Sequence, residues 1–530
     1  MPGRVRLPEN IKINYATTTE EIVKAEEDFF KQGIKSLDLM EQVGVEIIDS
    51  LIPLYKNISF NKAVFLIGCG NNGGDGLVVA RHQQFHNQII IYLTASDHYS
   101  SEMLFNLSRM KKHIPIKLIG EKIPEKLEKF SQIELVKESE LERDLQNSAI
   151  YDCLLGNKSL PPLRDNISIF TKKISLLSKP KNSYVISIDL PSGINPDNGK
   201  ADDLAVAADT TICIESIKRG MTQFPARRCC GEISTISIGI KIQDCSSIII
   251  TEGILPKIKK PIDGYKTNSK LLVIAGSKYM PGACNLVCNG AVGAGYIKAL
   301  LLDEVFNHTL PDHVVRVKTD DNFTNLEEEI SNCDALVIGP GIDGLDQNLG
   351  HNLVKSTLLH LAKYNKKAVF DAGALNIIAS HNLFELTHNI KAAFTPHHGE
   401  ALRLINKKID DRFVIIEELA NCFKTNSERA VLLKGAGSIV RTATTLLNKD
   451  QDINKNFIEI TTSPFLATAG SGDVLSGLIG SLLAQGLNPP EALILGVYIH
   501  GKAGSKLEPF TPNDLVKSFS SLLSKFYNLY

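Results

Sequence analysis

Residues 63–76 of the chain read AVFLIGCGNNGGDG, a short apolar run that leads directly into a glycine-dense turn. Apolar runs of this length, bounded by glycine, are typical of strands buried on both faces in parallel sheets. We expect a helix to follow from Leu77, and unpaired amides at a helix start carry partial positive charge. We also expect the glycines to allow positive φ and the close approach of a phosphate. The stretch therefore predicts an α/β domain with an anion-binding turn after one of its strands.

Similar apolar runs recur along the chain, separated by longer helical patterns. They occupy residues 63–67, 89–93, 149–153, 185–189, 210–214 and 233–238 in the first half, and 271–275, 335–338, 368–370, 392–395 and 430–433 in the second half. Strands that alternate with helices predict parallel βαβ sheets, whose ligands bind at the carboxyl ends of the strands. We therefore expect an α/β protein of two doubly wound domains, the first of them Rossmann-like with three layers.

A basic, proline-rich connector marks the boundary between the two patterns of strands. It lies near residues 245–268 and contains Pro256, Lys257, Lys259, Lys260 and Pro261. Such segments are typical of linkers, and 530 residues are enough for two large α/β domains. We assign one domain to residues 1–245 and the other to residues 255–530.

Composition restricts the class of partner and the location. The formal net charge is -1, from 58 basic and 59 acidic residues, so we expect neither nucleic acid nor an anionic membrane as a partner. None of the ten cysteines forms a CxxC pair, which predicts reduced thiols and no structural zinc. Residues 1–8 lack the apolar segment of a signal peptide, and residues 475–487 are too few to span a membrane. We expect a cytoplasmic enzyme that acts on small molecules and forms a homo-oligomer.

Two acidic residues stand where strands of the first sheet are predicted to end. Asp152 closes the run before Gly156, and Asp189 closes the run before Ser192. The carboxyl ends of neighbouring parallel strands share one edge, so both acids converge on the glycine turn. Oxygens of Asn72, Asp152 and Ser192 would suit a weakly held hard cation.

The spacing of three glycines leaves a second interpretation of that turn open. Gly68, Gly70 and Gly73 fit the GxGxxG pattern, and Asp97 lies near the end of the next predicted strand. This pattern is weak on its own, and the turn is denser in asparagine and glycine than a dinucleotide fingerprint requires. A plain dehydrogenase is therefore an alternative, and it predicts hydride transfer without ADP.

The second half lacks a G-x-x-x-x-G-K-[ST] phosphate loop but contains AGSGD at residues 469–473, before an apolar helical pattern over 474–483. Amides of Gly470, Ser471 and Gly472 can point at one anion at the helix start. Asp473 stands beside that anion. We expect it to take a proton from a substrate hydroxyl while the amides neutralise a transferring phosphoryl group.

Other predicted strands of the second half end in distinctive motifs, at residues 338–342, 371–375 and 395–400. The turn KGAGS at 434–438 suits nucleotide phosphates, with Lys434 adding charge, or is an ordinary hairpin turn. Neighbouring side chains on a strand point opposite ways, so we do not expect one ion to bind both His397 and His398. We expect His397 to contact substrate and Glu400 to order the loop.

Residues 1–245 resemble the NAD(P)H-hydrate epimerase family, on the stretches 39–44, 68–76, 152–156, 189–193 and 218–220. The resemblance implies that Asp189 contacts the substrate and is the candidate for its acid–base chemistry. It implies potassium bound by Asn72, Asp152 and Ser192. The residues that it implies for binding the hydrated nucleotide are Asn71, Asn72, Gly73, Gly74, Asp75 and Gly156. After Gly156 the family usually has Thr-Gly or a similar small pair, whereas this chain has Asn157 and Lys158.

Residues 255–530 resemble the ADP-dependent NAD(P)H-hydrate dehydratase family, a branch of the ribokinase-like fold. The shared motifs are 276–277, 280–283, 293–295, the three strand-end motifs, the lysine turn and residues 470–473, in the family's order. The resemblance implies ADP with Mg²⁺. It implies nucleotide contacts from Lys434, Gly435, Ala436, Gly437, Ser438 and Gly472, and hydrate contacts from Ala283, Gly341, His397 and Asp473.

The two resemblances together imply repair of hydrated nicotinamide nucleotides. The hydrate carries a hydroxyl at C6, and hydroxide is a poor leaving group. Phosphorylation by ADP makes phosphate the leaving group, and elimination restores the ring double bond. The second domain would dehydrate the S epimer, and the first would interconvert the R and S epimers. The alternatives are a ribokinase-like vitamin or sugar kinase with a regulatory N-terminal domain, and a non-catalytic interaction protein.

Overall fold

The structure is a computed structural model that describes residues 13–56, 60–177, 183–265, 268–302, 308–444, 453–461, 463–505 and 509–530. The chain divides into two compact units, one formed by Asn14–Cys245 and the other containing Ser246–Tyr530. The first eight residues, which we used to predict the absence of a signal peptide, lie outside the described residues.

The first unit is built on a sheet of eight parallel strands in the order β10-β8-β7-β6-β2-β3-β4-β5, and β1 pairs with β9. The chain winds outward from β2 in both directions, so the switch point lies between β2 and β6. The strands are β1 (Ala16–Thr17), β2 (Lys62–Ile67), β3 (Gln88–Leu93), β4 (Ile116–Ile119), β5 (Ile133–Val136), β6 (Ser148–Cys153), β7 (Tyr184–Ile188), β8 (Thr210–Ile214), β9 (Ile217–Lys218) and β10 (Glu232–Ile236).

Helices cover both faces of this sheet. Phe65 and Ile67 of β2 share an apolar core with α2, α3 and α4, whereas Val64 and Leu66 share a second core with α5 and α6. Successive residues of one strand thus pack on opposite layers, which confirms the predicted three-layer, doubly wound fold. The helices are α1 (Thr19–Phe30), α2 (Ser36–Tyr55), α3 (Asn71–His82), α4 (Ser101–Ser108), α5 (Glu138–Leu145), α6 (Asp165–Leu177) and α7 (Ala226–Cys229).

The second unit contains a sheet of ten strands in the order β11-β21-β20-β19-β18-β17-β16-β13-β14-β15. β20 runs antiparallel to β19 and β21, and the other pairs are parallel. The switch point lies between β13 and β16. The strands are β11 (Ser247–Ile249), β12 (Ile258–Lys260), β13 (Lys270–Ile274), β14 (Tyr296–Leu302), β15 (Val314–Thr319), β16 (Ala335–Ile338), β17 (Lys367–Phe370), β18 (Lys391–Phe394), β19 (Arg429–Leu433), β20 (Ser438–Thr444), β21 (Ile453–Glu459) and β22 (Tyr527–Leu529), the last pairing with β12.

The helices of the second unit are α8 (Gly282–Gly290), α9 (Leu326–Asn332), α10 (Gln347–Tyr364), α11 (Gly373–Ser380), α12 (Phe384–Thr387), α13 (His398–Ile405), α14 (Arg412–Phe423), α15 (Ser471–Ala484), α16 (Pro489–Ser505) and α17 (Pro512–Leu523). The apolar helical pattern over residues 474–483 lies in α15, which is buried along most of its length. Among the described residues, no helix has the length and apolar character needed to cross a bilayer.

Every strand predicted from an apolar run is present, and all ten cysteines are free thiols. Two helix starts differ from the prediction. Helix α3 begins at Asn71 rather than Leu77, and α15 begins at Ser471 rather than Val474. Both differences place the glycine motifs inside the first turns of a helix rather than in a preceding loop.

Candidate active sites

A cavity of about 430 Å³ lies in the first unit, at the carboxyl ends of β2, β6 and β7. This is the edge at which the strand order changes direction, where ligands of doubly wound sheets bind. Helix α1 contributes Glu26 to the lining, and the segment after β8 contributes Lys218. The predicted substrate residues in the lining are Asn71, Asn72, Asp75, Gly156 and Asp189.

The glycine turn of this site is the start of α3, and none of the glycines within residues 68–76 has positive φ. Our expectation of positive φ was therefore wrong. Close packing requires glycine instead: a Cβ on Gly68 would lie 1.8 Å from the Leu154 carbonyl oxygen, and one on Gly73 would lie 2.1 Å from the Gly68 carbonyl oxygen. The turn brings the ends of β2 and β6 together and sets the first helical amides beside the cavity.

Two predicted substrate residues, Gly73 and Gly74, are buried and do not line the cavity. A Cβ on Gly74 would lie 2.6 Å from the sulfur of Met40, and the Gly74 N–H donates to the Gly70 carbonyl oxygen. Their absent side chains allow α2 and the turn to pack closely. A nucleotide contact from either residue remains a prediction.

Asp189 adopts an uncommon backbone conformation directly after β7. Its φ is 69°, a left-handed conformation that non-glycine residues seldom adopt and that is often found at functional sites. Oδ1 accepts hydrogen bonds from the Lys218 ammonium and, at 3.2 Å, from the Ile214 N–H. Oδ2 has no hydrogen-bond partner among the described residues. Lys218 is fully buried, so its charge balances that of Asp189 inside the protein.

The three predicted potassium ligands form one buried cluster beneath the cavity. Asn72 donates to the Leu155 carbonyl oxygen at 2.6 Å, while its own Oδ1 is buried without a partner. The Asp152 carboxylate accepts from the hydroxyl and the N–H of Ser192, at 2.6 and 2.8 Å. Burial raises the pKa of Asp152 despite these hydrogen bonds. An unsatisfied amide oxygen, a carboxylate and a hydroxyl fit a weakly held, oxygen-ligated cation.

In the second unit, Ala283 and Gly341 meet at the switch point between β13 and β16. The Gly276 N–H donates to the Pro340 carbonyl oxygen at 2.8 Å, which joins the two strand ends. Gly341 has a φ of 76°, and a Cβ there would lie 2.8 Å from that of Ala283. The two residues predicted to contact the hydrate are therefore adjacent.

The lysine turn is the hairpin between the antiparallel strands β19 and β20, as one of the two interpretations expected. Lys434 donates to Asp371 Oδ1 at 2.6 Å, and Ser476 of α15 donates to Asp371 Oδ2 at 2.7 Å. A Cβ on Gly472 would lie 3.4 Å from the Lys434 ammonium. The predicted nucleotide residues Lys434 and Gly472 are therefore brought together.

The remaining predicted nucleotide residues lie in the same hairpin. Gly435 and Ala436 are exposed, and Ser438 begins β20 and donates to the Gly435 carbonyl oxygen at 2.8 Å. Gly437 has a φ of 71°, and its carbonyl oxygen accepts from Arg412 Nη2 at 3.4 Å. Arg412 also donates to the carbonyl oxygens of Leu433 and Lys434, so it stabilises the conformation of the turn.

Asp473 lies in the first turn of α15, beside this hairpin. Burial raises its pKa to about 7, assisted by the negative charges of Asp371 and Glu400 and opposed by Lys434. The residue before the helix, Gly470, has a φ of 88°, which favours glycine. A carboxyl group that titrates near neutral pH is suited to take a proton from a substrate.

His397 is the N-cap of α13 and is not a strand residue, since β18 ends at Phe394. Our strand-based argument for separating His397 and His398 was therefore wrong. The His397 ring accepts from the N–H groups of Gly399 and Glu400, and the Glu400 carboxylate accepts the His397 N–H at 2.8 Å. This reciprocal cap confirms that Glu400 orders the loop. The His397 side chain is 54% exposed and accessible to a ligand.

Four site residues received no role from the sequence: Glu26, Lys218, Asp371 and Arg412. Lys218 and Asp371 lie within motifs that we noted. A charged residue inside such a motif could have been predicted as a site residue. Glu26 and Arg412 lie on helices whose sequences resemble ordinary surface helices. In the part of the chain that the structure describes, no group of three or more His, Cys, Asp or Glu side chains is arranged to hold a metal.

Two known families match the chain. The family described as NAD(P)H-hydrate dehydratase matches residues 271–517, and the family described as YjeF-related protein N-terminus matches residues 36–220. The bifunctional NAD(P)H-hydrate repair enzyme Nnr of Moorella thermoacetica is 27% identical over 89% of this chain and 88% of its own length. The Escherichia coli enzyme of the same name is 28% identical over 83% of this chain and 80% of its own length.

Among solved structures, the ADP/ATP-dependent NAD(P)H-hydrate dehydratase of Bacillus subtilis, co-crystallised with ATP and Mg²⁺, superposes with a TM-score of 0.40. It is 22% identical, and the match covers 52% of this chain and 96% of that chain.

Proposed function

Because the chain belongs to the family of bifunctional NAD(P)H-hydrate repair enzymes, we propose that it restores hydrated NADH and NADPH in two steps. The first domain, residues 1–245, interconverts the R and S epimers at C6 of the nicotinamide ring. The second domain, residues 255–530, dehydrates the S epimer with ADP. The observation that carries the proposal is a separate site in each unit, each combining a helix start with an aspartate, Asp189 or Asp473.

In the second domain, Asp473 takes the proton of the C6 hydroxyl as that oxygen attacks the terminal phosphoryl group of ADP. Its pKa of about 7 allows it to be ionised before the reaction and to hold the proton afterwards. The first amides of α15 and the ammonium of Lys434 balance the charge of the transferring group. Phosphate then leaves C6, a proton leaves C5, and the ring double bond is restored.

In the first domain, Asn71, Asn72, Asp75 and Gly156 hold the hydrated nucleotide against the start of α3, where free amides suit its phosphates. Asp189 faces the ring and exchanges protons with it. The ion pair with buried Lys218 fixes the position of Asp189 and keeps a negative charge in the cavity. An Asp189 carboxylate is therefore available as a base.

Two metal ions belong to the proposal. Potassium would be held by Asn72, Asp152 and Ser192, and the support for it is the buried Asn72 Oδ1 that has no other partner. It would supply fixed positive charge beneath the glycine turn. Mg²⁺ would balance the phosphate charge of ADP.

The test uses the purified chain and a mixture of the R and S epimers of hydrated NADH. Recovery of absorbance at the reduced-nicotinamide band is followed with and without ADP. We expect an ADP-dependent fast phase from the S epimer and a second phase from the R epimer. Asp473→Asn should abolish both phases, and Asp189→Asn should leave the fast phase with slow spontaneous inversion. Asp321→Asn, at an exposed aspartate, is the control and should match the wild type.

Product analysis separates the alternatives. Accumulation of a phosphorylated compound without NADH would favour a ribokinase-like vitamin or sugar kinase. Hydride transfer without ADP would favour a dehydrogenase that uses the glycine turn. Recovery of NADH that depends on ADP, with release of phosphate, supports the repair enzyme.

A further inference from the structure

Glu26 lies on the cavity of the first unit and has no role in the chemistry assigned so far. Helix α1 contributes Ile22, Val23, Glu26 and Phe30 to the cavity lining, which places them on one side of that helix. The three neighbours of Glu26 in this set are apolar. Glu26 is therefore the carboxyl group that α1 presents to the substrate, on a wall formed by a different element from the one that carries Asp189.

The charges around Glu26 come from every side of the cavity. Asp189 lies after β7, Asp75 in α3, Lys218 after β8 and Lys158 in the turn after β6. Burial is the largest influence and raises the pKa of Glu26; the charge of Asp189 raises it further, and Lys218 and Lys158 oppose the rise. Burial and the charge of Asp189 thus shift Glu26 toward its protonated form.

Asp189 stands in the opposite environment, because its Oδ1 accepts a hydrogen bond from the buried Lys218 ammonium. The cavity thus contains two carboxyl groups with a raised pKa, Glu26 and Asp75, and a third that is ion-paired, an arrangement that can separate the roles of acid and base. Asp75 is a weaker candidate for the acid. It is 8% exposed and lies on α3, where the nucleotide is proposed to bind, whereas Glu26 is half-buried.

The chemistry of inversion at C6 needs such a pair. C6 is bonded to both N1 and the hydroxyl oxygen, so the N1 lone pair can form a C6=N1 double bond as the C6–O bond breaks. The departing oxygen must receive a proton and leaves as water. A second water then adds to the opposite face of C6 and must lose a proton. The C6–H bond is untouched.

We propose that Glu26 is a catalytic residue of the epimerisation, the acid that protonates the departing C6 hydroxyl while Asp189 takes the proton of the incoming water. The assignment rests on the epimerase function proposed above. One water leaves and one enters, Glu26 loses one proton and Asp189 gains one, so no oxidant or further reactant is needed. After inversion, the two carboxyl groups have exchanged protonation states and are ready for the reverse reaction.

The test uses Glu26→Gln in the full chain, with Glu27→Gln as the matched control. Glu27 is the next residue of α1, is exposed and does not line the cavity. With ADP and the epimer mixture, Glu26→Gln should keep the fast phase of the S epimer and slow the second phase at least about 100-fold, the usual contribution of a general acid. Glu27→Gln should keep both phases. A second phase of wild-type rate in Glu26→Gln would overturn the proposal.

Two further measurements distinguish a catalytic role of Glu26 from a structural one. Loss of kcat for the R epimer with KM unchanged supports proton transfer, whereas a raised KM with kcat retained overturns it. In ¹⁸O-labelled water without ADP, each inversion by the wild type should place one solvent oxygen on C6, and retention of the original oxygen would contradict C6–O cleavage. If the wild type itself shows no second phase, the epimerase function fails; if it does and Glu26→Gln equals it, the Glu26 assignment alone fails.

Discussion

Lys434 donates a 2.6 Å hydrogen bond to Asp371 Oδ1, which links the hairpin after β19 to the end of β17. The carboxylate is 1% exposed and the lysine side chain 18% exposed. Removing such a pair from water costs about as much as the attraction between its charges returns. The pair therefore contributes more to positioning the lysine than to stability. It holds the ammonium at the start of α15, where the transferring phosphoryl group is proposed to lie.

Lys434→Met tests this relationship. The change removes one charge from the phosphoryl site and leaves Asp371 buried without its partner. We expect dehydration to slow by about 100-fold or more, as after the loss of one stabilising donor, with a raised KM for ADP. We also expect unfolding to become easier by about 3 kcal/mol, the low end for a broken buried pair. Steady-state kinetics and thermal melting measure both, and Lys355→Met, at an exposed lysine of α10, should change neither.

The pH dependence of dehydration should report Asp473. Only its carboxylate form can take a proton, and its pKa is raised to about 7 by burial and by Asp371. Dehydration should therefore be slow in acid, rise through neutral pH and level off above about pH 8. Rates of S-epimer consumption at saturating ADP across this range measure the profile. A rate that is flat from pH 5 to pH 8 (about two units below the value to one above it) would exclude Asp473 as the base.

Asp473→Asn should stabilise the second domain even as it abolishes activity. The pKa of Asp473 is about 7 in the folded state and about 3.9 in the unfolded state, so the folded state binds the proton more tightly. The stability that this proton contributes is complete below about pH 4 and is lost as pH rises to about 7. Asparagine has no carboxyl group to ionise, so the variant does not lose this stability as pH rises. The melting temperature of the variant should exceed that of the wild type at pH 8 and converge with it in acid, and an equal difference at every pH would contradict this.

Burial distinguishes the most clearly predicted strands from two edge strands that were missed. β2 and β16 are almost wholly buried and appear as unbroken apolar runs. β5 lies at the edge of its sheet, with Glu134 and Leu135 exposed between the buried residues Ile133 and Val136. β15, at the edge of the other sheet, likewise has exposed or half-buried residues at 315–318 between the buried residues Val314 and Thr319. In these two strands the exposed residues interrupt the continuous apolar run, so that pattern did not locate them.

A similar limit applies to the sites. Motif residues such as Asp189 and Asp473 could be predicted because they follow apolar runs and glycines. Glu26 could not, because α1 also carries Glu20, Glu21 and Glu27, and no spacing shows which of them faces a cavity formed by distant segments. Arg412 likewise contacts a hairpin that follows it in the chain. Contacts between elements that are distant in sequence depend on the topology, which local patterns do not contain.

Gly68→Ala should destabilise the first domain, because its Cβ would lie 1.8 Å from the Leu154 carbonyl oxygen and a backbone atom must shift. We expect a loss of about 1–3 kcal/mol, or a melting temperature lower by at least about 3 °C. Gly120→Ala is the matched control, since a Cβ at Gly120 would lie 3.8 Å from its nearest neighbour, the Lys122 carbonyl oxygen. It should melt within about 1 °C of the wild type. Equal melting of the two variants would show that the packing at Gly68 is not limiting.

Potassium should stabilise the first domain through Asn72. The buried Asn72 Oδ1 has no hydrogen-bond partner, and such an oxygen costs roughly 1–3 kcal/mol unless a ligand satisfies it. A cation that binds the folded state alone raises the melting temperature by mass action. We expect the first domain to melt higher in potassium chloride than in choline chloride at equal ionic strength, and Asn72→Ala to abolish that difference. Asn322→Ala, at an exposed position, should preserve it. Identical melting of the wild type in the two salts would argue against a cation in this cluster.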